Sequence, residues 1–278
     1  MRTPTRLLPL VEEGLVDEVL SQLMSGKEAT VYVVRCGDKI CCAKVYKEAN
    51  KRSFHQAVNY QEGRKVKNSR EARAMAKGSS YGRKKAEEVW QNAEVDALYK
   101  LAAVGVRVPQ PHICFEGVLL MDLVADADGN AAPRLNDVEL NEETALAYHA
   151  MLINQVVRML CAGVIHGDLS EYNILVSEDG PVIIDLPQAI DASGNSNAFE
   201  MLERDVINLR TYFSTFAPSL TESQYGKEIW ALYEGGLLTP EVPLSGHVEL
   251  DESVVDTAAV LLQVEMAIKE DEIRRMCQ

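Results

Sequence analysis

The chain has 278 residues, of which 47% are hydrophobic and 25% are charged, and its formal net charge is −14. This composition excludes a disordered chain, and the length suits one large domain or two small lobes. No apolar run approaches the roughly 20 residues needed to cross a bilayer, and the N-terminus lacks the apolar core of a secretory signal. We therefore expect a cytoplasmic globular protein that does not associate with membranes.

The cysteines predict neither disulfides nor a structural zinc site. No CxxC pair occurs among the six, which are Cys36, Cys41, Cys42, Cys114, Cys161 and Cys277. Without a secretory signal they are expected to be reduced thiols, most of them packed as small core side chains. A structural zinc site is not expected.

The charge is distributed unevenly along the chain. Residues 47–85 hold 12 Lys or Arg and 3 Glu, a net charge of +9, which leaves −23 on the remainder. A basic segment in an acidic protein indicates a local surface for RNA or another anionic partner. A solvated flexible loop explains the same composition equally well. We therefore expect residues 47–85 to be a basic flexible insertion, and whether it binds an anionic partner stays open.

The first part of the chain is predicted to be rich in β-structure. Residues 11–23 carry apolar side chains at helix-like spacing, although VLSQL within them also fits an alternating strand. Two runs rich in apolar and β-branched residues follow at 31–36 and 39–46, and Gly37 and Asp38 between them are typical turn residues. The two runs are therefore predicted to form a β-hairpin.

Helices dominate the predictions for the rest of the chain. Residues 86–104 carry apolar residues at steps of three and four, and residues 142–162 form a longer pattern of the same kind. The Gly-, Pro- and Asp-rich residues 125–136 between them indicate a boundary between lobes. Two short strands follow the long helix, and the chain from about residue 199 is mostly helical, with a last helix over 253–275.

The strongest chemical signal is the sequence HGDLSEYN, which begins at His166 after the long predicted helix. Phosphoryl transfer from a nucleotide needs a carboxylate to orient the attacking hydroxyl and oxygen ligands for Mg²⁺ on the phosphates. Asp168 fits the first task and Asn173 the second, while Asp185 ends a short apolar strand and adds a carboxylate ligand. Two acids and an asparagine in this order favour catalysis over simple turn capping.

A lysine and a glutamate form the second signal. Lys44 lies within the largely apolar run CCAKVY, where a charge is costly unless an anion meets it. Taken alone, Lys44 is equally compatible with an edge-strand lysine whose ammonium reaches water. Glu94 lies on the apolar face of the helix predicted over 86–104, which makes it the natural partner. A Lys–Glu ion pair of this kind is needed for an active kinase nucleotide site.

The expected phosphate loop is poor in glycine. Ser25-Gly26-Lys27 lies between the first two candidate strands and matches neither a GxGxxG loop nor a Walker A motif. With one glycine the backbone approaches phosphate less freely, so we expect side-chain contacts from Ser25 and Lys27.

Several motifs in register resemble the RIO family of atypical serine/threonine protein kinases, nearest its first subfamily. They are SGKEATVYVV (25–34), AKVYK (43–47), HGDLSEYNILV (166–176) and IIDLPQA (183–189). The resemblance covers roughly residues 15–215. It implies a two-lobe, α+β, protein-kinase-like fold without an activation segment or peptide-docking subdomains.

The resemblance also implies a binding mode for ATP. Lys44 would contact the α- and β-phosphates and pair with Glu94. Met121 would be the gatekeeper, and the residues from Asp122 to Val124 would form the hinge that meets adenine.

The catalytic residues follow from the same resemblance. Asp168 would be the catalytic aspartate, and Asn173 and Asp185 would hold Mg²⁺ or Mn²⁺. The family further implies that Asp185 can accept phosphate as an aspartyl-phosphate in an ATPase-like cycle. Neither a DFG nor an APE motif follows, so the way in which a protein substrate would bind stays open.

The predicted organisation has four parts: an N-terminal segment (1–14), a first lobe (15–124), a second lobe (125–215) and a helical C-terminal extension (216–278). The physiological substrate does not follow from the sequence.

Two other functions remain open. Small-molecule kinases of the aminoglycoside and choline kinase type share HGDxxxxN and an IID strand, although SGKEA and the SEYN spacing argue against them. An ATPase-operated RNA or ribosome assembly factor would use the basic segment 47–85 to dock on RNA.

Overall fold

The computed structural model describes residues 3–26, 28–47 and 93–247. Lys27, the predicted last helix over 253–275 and nearly all of the basic insertion lie outside the described residues. Within these residues, a five-stranded antiparallel sheet precedes a mainly helical part. The predicted α+β class and its order of lobes are therefore confirmed, while the exact domain boundaries stay a prediction.

The N-terminal sheet has the strand order β1-β2-β3-β5-β4, and all neighbours pair antiparallel. Its strands are β1 (Glu18–Ser25), β2 (Ala29–Cys36), β3 (Lys39–Tyr46), β4 (Pro111–Phe115) and β5 (Val118–Asp122). The predicted hairpin is confirmed, because β2 and β3 pair throughout their length. Gly37 in its turn has a φ of +61°, which glycine adopts at little cost.

The helical prediction for residues 11–23 is wrong, and its alternative of a strand is right. Helix α1 (Leu8–Glu12) ends early, and Gly14 has a φ of +70° that a continuing helix excludes. The strand β1 then pairs with β2 and places Val19 opposite Val34 in a buried position. Pairing with a neighbouring strand therefore overrides the helix-like spacing.

Helix α2 covers residues 93–103, and the first residues of the helix predicted over 86–104 lie outside the described residues. Its side chains Val95, Leu98 and Leu101 are buried in one core together with Leu119 of the sheet. The helix therefore packs against the sheet with the face that also carries Glu94, which is 3% exposed.

The C-terminal part is built on three helices: α3 (Glu142–Cys161), α4 (Ala198–Ser214) and α5 (Tyr225–Glu234). Two small sheets pair β6 with β9 and β7 with β8; these strands are β6 (Val164–Ile165), β7 (Ile174–Ser177), β8 (Gly180–Ile183) and β9 (Ile190–Asp191). Short 3-10 turns lie at Thr5–Leu7, Leu135–Asp137, Glu171–Asn173 and Pro218–Leu220. No helix of the described residues is long and apolar enough to cross a membrane.

The start of α3 shows why the long helix forms where the sequence predicts it. Asn141 is the N-cap, and its side chain accepts a hydrogen bond of 2.8 Å from the backbone N–H of Thr144. Glu142 and Glu143 follow in the first turn, where negative charge favours the helix dipole.

Side chains of the N-terminal sheet point to two different surroundings, because they alternate along each strand. The outer face packs on α1 through a small core that includes Leu7, Leu10, Val34, Cys41 and Leu120. The opposite face carries Lys44 and faces α2 and the helical part. We call it the cleft face.

A buried histidine makes the helical core sensitive to acid. His149 of α3 is 2% exposed, and its ring lies 5.6 Å from that of Phe213 and 5.5 Å from that of Tyr225. Burial lowers the pKa of His149 from 6.5 to about 4. The folded protein therefore resists protonation there, so stability is lost as the pH falls from 6.5 towards 4.

We predict that the free energy of unfolding of the wild type falls by about 3 kcal/mol more than that of His149→Leu between pH 6.5 and 4. Leucine has a similar size and does not titrate, so the difference isolates the imidazole. Urea denaturation at several pH values measures it. Parallel pH profiles for the two proteins would contradict this interpretation.

Candidate active site

Lys44 on β3 is the centre of the site. Its Nζ donates hydrogen bonds to Glu94 Oε1 at 2.5 Å and to Asp185 Oδ1 at 2.8 Å. The side chains of Lys44 and Glu94 are only 12% and 4% exposed. Burial opposes the charge of Lys44, but Glu94 and then Asp185 raise its pKa well above the ordinary value. Lys44 is therefore a fixed cation between two carboxylates from different parts of the chain.

Asp185 follows β8 in an unusual backbone conformation, with a φ of +65°. The left-handed region costs on the order of 1–2 kcal/mol for a residue with a side chain, and aspartate tolerates it better than most. Lys44 lowers the pKa of Asp185, although burial acts in the opposite direction. The contact with Lys44 therefore keeps Asp185 ionised and helps to offset its backbone strain.

The loop that carries Asp168 and Asn173 is linked to the segment before Asp185. Asn173 Nδ2 donates to the backbone carbonyl of Asp168 at 2.8 Å, and the Asn173 carbonyl accepts from the N–H of Ile184 at 2.9 Å. Asp168 Oδ2 accepts a hydrogen bond of 3.0 Å from Gln188 Nε2. Asp168, Asn173 and Asp185 are thus held in one arrangement by backbone and side-chain bonds.

Burial raises the pKa of the Asp168 carboxyl, Arg204 opposes this shift, and the neighbouring charge of Asp185 adds to it. A raised pKa makes the carboxylate of Asp168 a better proton acceptor than an ordinary surface aspartate.

Two buried side chains that sequence analysis did not assign, Asp205 and His166, form hydrogen bonds to the loop that carries Asp168. Asp205 of α4 accepts hydrogen bonds from the backbone N–H groups of Gly167 at 2.8 Å and Leu169 at 2.9 Å. Burial raises the pKa of Asp205 to about 7, while these two donors act in the opposite direction. Asp205 lies among the buried residues of an amphipathic helix, the same signal that identified Glu94, so it could have been found.

His166 fixes the start of the loop. Its Nε2 lies 3.1 Å from the carbonyl of Ile184, and its Nδ1 accepts from the N–H of Asp168 at 3.3 Å. Burial lowers the pKa of His166, so it is a neutral imidazole with its proton on Nε2. In this form it links the loop to the strand segment that precedes Asp185.

The oxygen atoms in this arrangement are of the type that binds Mg²⁺. The side-chain nitrogen of Asn173 is used by the Asp168 carbonyl, which leaves Oδ1 as the atom for a cation. Asp185 gives one oxygen to Lys44 and keeps a second for a metal. The donor set therefore fits a divalent cation with hard oxygen ligands.

A lysine that the sequence analysis did not assign, Lys47, forms hydrogen bonds to the glycine-poor loop that begins at Ser25. Ser25 is exposed at the end of β1, and its Oγ lies 3.3 Å from Thr30 Oγ1. Lys47 Nζ donates to Ser25 Oγ at 3.2 Å and also to the carbonyl of Gly26. Lys47 therefore places a positive charge on the loop beside Ser25.

The predicted hinge residues lie where β5 ends. Met121 is partly buried against the main core. The Asp122 carboxylate instead forms a contact of 2.7 Å with His112 Nε2. The backbone carbonyl of Val124 accepts a hydrogen bond of 2.9 Å from the N–H of Ala132. The backbone N–H of Val124 is therefore the group that could contact a ligand.

Arg134 is a further cation near the site that the sequence analysis did not single out. It contacts Met24 Sδ at 2.9 Å, and its charge contributes to the lowered pKa of Asp185. Arg134 therefore contacts the end of β1 and adds positive charge to that side of the site.

The structure brings Lys44, Glu94 and Asp185 into direct contact and places Asp168 and Asn173 beside them. Such a site can hold an anion on Lys44 and a divalent cation on the oxygens, with a carboxylate next to both. Ser25 lies with Lys47 at the loop between β1 and β2, and Lys27 lies outside the described residues.

Comparison with known proteins identifies a family. The RIO domain family matches residues 30–225. The chain is 33% identical over 208 residues to the RIO-type serine/threonine-protein kinase Rio1 of Haloferax volcanii, covering 73% of this chain and 66% of that protein. It is 31% identical over 214 residues to the Methanocaldococcus jannaschii protein of the same name, covering 76% and 68%.

The chain matches less of a eukaryotic relative. It is 29% identical over 218 residues to the serine/threonine-protein kinase rio1 of Schizosaccharomyces pombe, which is 76% of this chain and 41% of that protein. The chain thus spans between two fifths and two thirds of the length of these first relatives.

The anchoring of the loop by Asp205 can be tested directly. In Asp205→Asn an amide N–H replaces one of the two acceptors, so the backbone N–H of either Gly167 or Leu169 loses its partner. We predict faster amide hydrogen exchange at these two residues and a free energy of unfolding that is lower by about 1–3 kcal/mol. Asp179→Asn, an exposed acid in the β7–β8 turn, is the control. Unchanged exchange in Asp205→Asn would contradict the anchoring role.

Proposed function

The chain belongs to the RIO domain family, and we propose that it is an atypical serine/threonine protein kinase that uses ATP with Mg²⁺ or Mn²⁺. The observation that carries the proposal is the buried ion pair of Lys44 with Glu94, with Asp185 as the second partner of the same ammonium. A fixed cation beside two oxygen ligands for a metal favours binding of a nucleoside triphosphate over binding of a neutral ligand.

In this proposal the residues around Lys44 bind the nucleotide. Lys44 holds the α- and β-phosphates while Glu94 keeps its ammonium in place. Asp122 and Val124 meet adenine through their backbones, with Met121 behind them as gatekeeper. Ser25 and Lys27 add side-chain contacts to phosphate, and Lys47 supports Ser25 with a hydrogen bond of 3.2 Å.

Asn173 and Asp185 would hold the divalent metal. When bound there, the cation would neutralise negative charge on the phosphates and orient them. Because Asp185 already bonds to Lys44, the same carboxylate would link the metal ligands to the lysine that holds the phosphates.

Asp168 orients the attacking hydroxyl and accepts its proton. The raised pKa of Asp168 supports this role, and the hydrogen bond from Gln188 fixes one carboxylate oxygen. Asp205 and His166 act as positioning residues, since they touch the loop backbone rather than a substrate.

We also propose that Asp185 can accept a phosphoryl group. Its side chain is 42% exposed, so one face of the carboxylate is open to an incoming γ-phosphate. A carboxylate oxygen would bond to phosphorus while ADP leaves, and water would later release phosphate. This ATPase cycle and the protein kinase reaction would use the same nucleotide site.

Two substitutions separate catalysis from binding. Asp168→Asn removes a charge that acts mainly in the transition state, so turnover should fall by about 10²-fold or more with little change in ATP affinity. Lys44→Ala removes a contact that exists in the bound ground state, so ATP affinity should fall as well. Steady-state turnover and calorimetric titration with ATP measure the two effects.

Lys39→Ala, an exposed lysine on the same strand, is the matched control for Lys44→Ala. The amounts of acid-stable and acid-labile phosphate on the protein distinguish hydroxyl from Asp185 acceptors. Phosphate that accumulates on Asp185 in Asp168→Asn would support the ATPase cycle. Near-normal turnover in Asp168→Asn would refute the kinase mechanism.

A further inference from the structure

Three potential metal ligands of different chemistry meet on the outer face of the N-terminal sheet, opposite to Lys44. One ligand atom each from Cys41, His112 and Asp122 lies within 4.8 Å of the other two. These residues come from β3, β4 and β5. We propose that Cys41, His112 and Asp122 form a binding site for a divalent cation of the zinc class.

The sheet register explains how the cysteine and the aspartate meet. Cys41 and Asp122 are direct partners across the β3–β5 pair, and directly opposed side chains lie about 4.5–5.5 Å apart at Cβ. Cys41 and Leu120 both belong to the outer core. Because side chains alternate along a strand, Asp122 points to the same face as Leu120.

A β-bulge brings the histidine to this face. Pro111 pairs with Met121 and Ile113 pairs with Leu120, so His112 is an extra residue without a partner on β5. Ile113 packs on the outer core, and regular alternation would turn His112 to the cleft face. The bulge redirects its side chain to Asp122, which is a recognised use of bulges near functional sites.

Small movements of the side chains would give His112 and Asp122 the spacing of tetrahedral zinc ligands. His112 Nε2 lies 2.7 Å from Asp122 Oδ1. Zinc bonds of about 2.0–2.3 Å place tetrahedral ligand atoms about 3.3–3.8 Å apart. The histidine and aspartate must therefore separate by less than an ångström or so, and each has an exposed end that can move.

The ligand set selects the class of cation. A thiolate, an imidazole and a carboxylate suit Zn²⁺ and related transition metals, whereas Mg²⁺ prefers oxygen ligands alone. His112 and Asp122 have side chains that are 33% and 45% exposed, so an ion can enter and water can fill the fourth position. Cys41 is 2% exposed, which protects the sulfur. Cys36 on β2 packs against the same outer core as Cys41.

A site with three protein ligands and an open fourth position differs from structural zinc sites, which are closed by four protein ligands. A bound cation would join three strands next to the segment from Met121 to Val124. It would therefore stabilise the sheet at the edge that we propose for adenine, without touching the oxygen ligands Asn173 and Asp185.

Cobalt(II) is the probe for this site, because a thiolate bond to Co²⁺ gives a charge-transfer absorption band in the near ultraviolet. We expect the full chain, stripped of metal by a chelator, to develop this band with one equivalent of Co²⁺ and to lose it when Zn²⁺ is added. Excess Mg²⁺ should leave the band unchanged. Cys41→Ser should abolish it, and His112→Ala should weaken Co²⁺ binding about tenfold or more.

Cys161→Ser, which removes an exposed thiol on α3, is the matched control and should keep the full band. His112 is exposed, so its substitution tests the site even if Cys41→Ser fails to fold. The proposal is wrong if the wild type develops no stoichiometric band. It is equally wrong if Cys161→Ser loses the band, or if His112→Ala binds Co²⁺ as tightly as the wild type.

Discussion

The ammonium of Lys44 between the carboxylates of Glu94 and Asp185 is the interaction on which the site depends. One partner lies on α2 and the other follows β8, so a single buried cation joins the sheet, its helix and the C-terminal part. Removal of one partner from a buried ion pair commonly costs about 3–5 kcal/mol, because the remaining charge is left uncompensated. In the proposed reaction this cation is also the group that meets phosphate, so stability and binding constrain the same three residues.

The remaining contacts of the site keep the catalytic loop in register with that cation. Asp205 bonds to the loop backbone from α4, and neutral His166 links the loop to the carbonyl of Ile184. Asn173 joins the loop to the segment before Asp185. The chemistry proposed for Asp168 therefore rests on a scaffold of backbone hydrogen bonds.

Patterns in the sequence predicted the features that depend on residues close together in the chain. The hairpin around Gly37 and the long helix α3 follow from turn chemistry and apolar periodicity, and both are present. The choice between helix and strand over residues 11–23 stayed open in the sequence, because pairing of β1 with β2 decides it and overrides the local spacing. The β-bulge at His112 and the closing of the loop by Lys47 also escaped prediction, since both arise from strands or segments that meet only in the folded chain. The role of Glu94 could be predicted from the sequence, because a charged side chain on the apolar face of a helix needs an oppositely charged partner.

The most direct test of the central claim is calorimetric titration of ATP into the wild type and Asp185→Asn, with and without Mg²⁺. The account predicts that Mg²⁺ raises the ATP affinity of the wild type about tenfold or more and that the variant loses most of this increase. Without metal, Asp185→Asn should bind ATP at least as tightly as the wild type, because Lys44 no longer has to release a carboxylate. An equal gain from Mg²⁺ in both proteins would contradict the account.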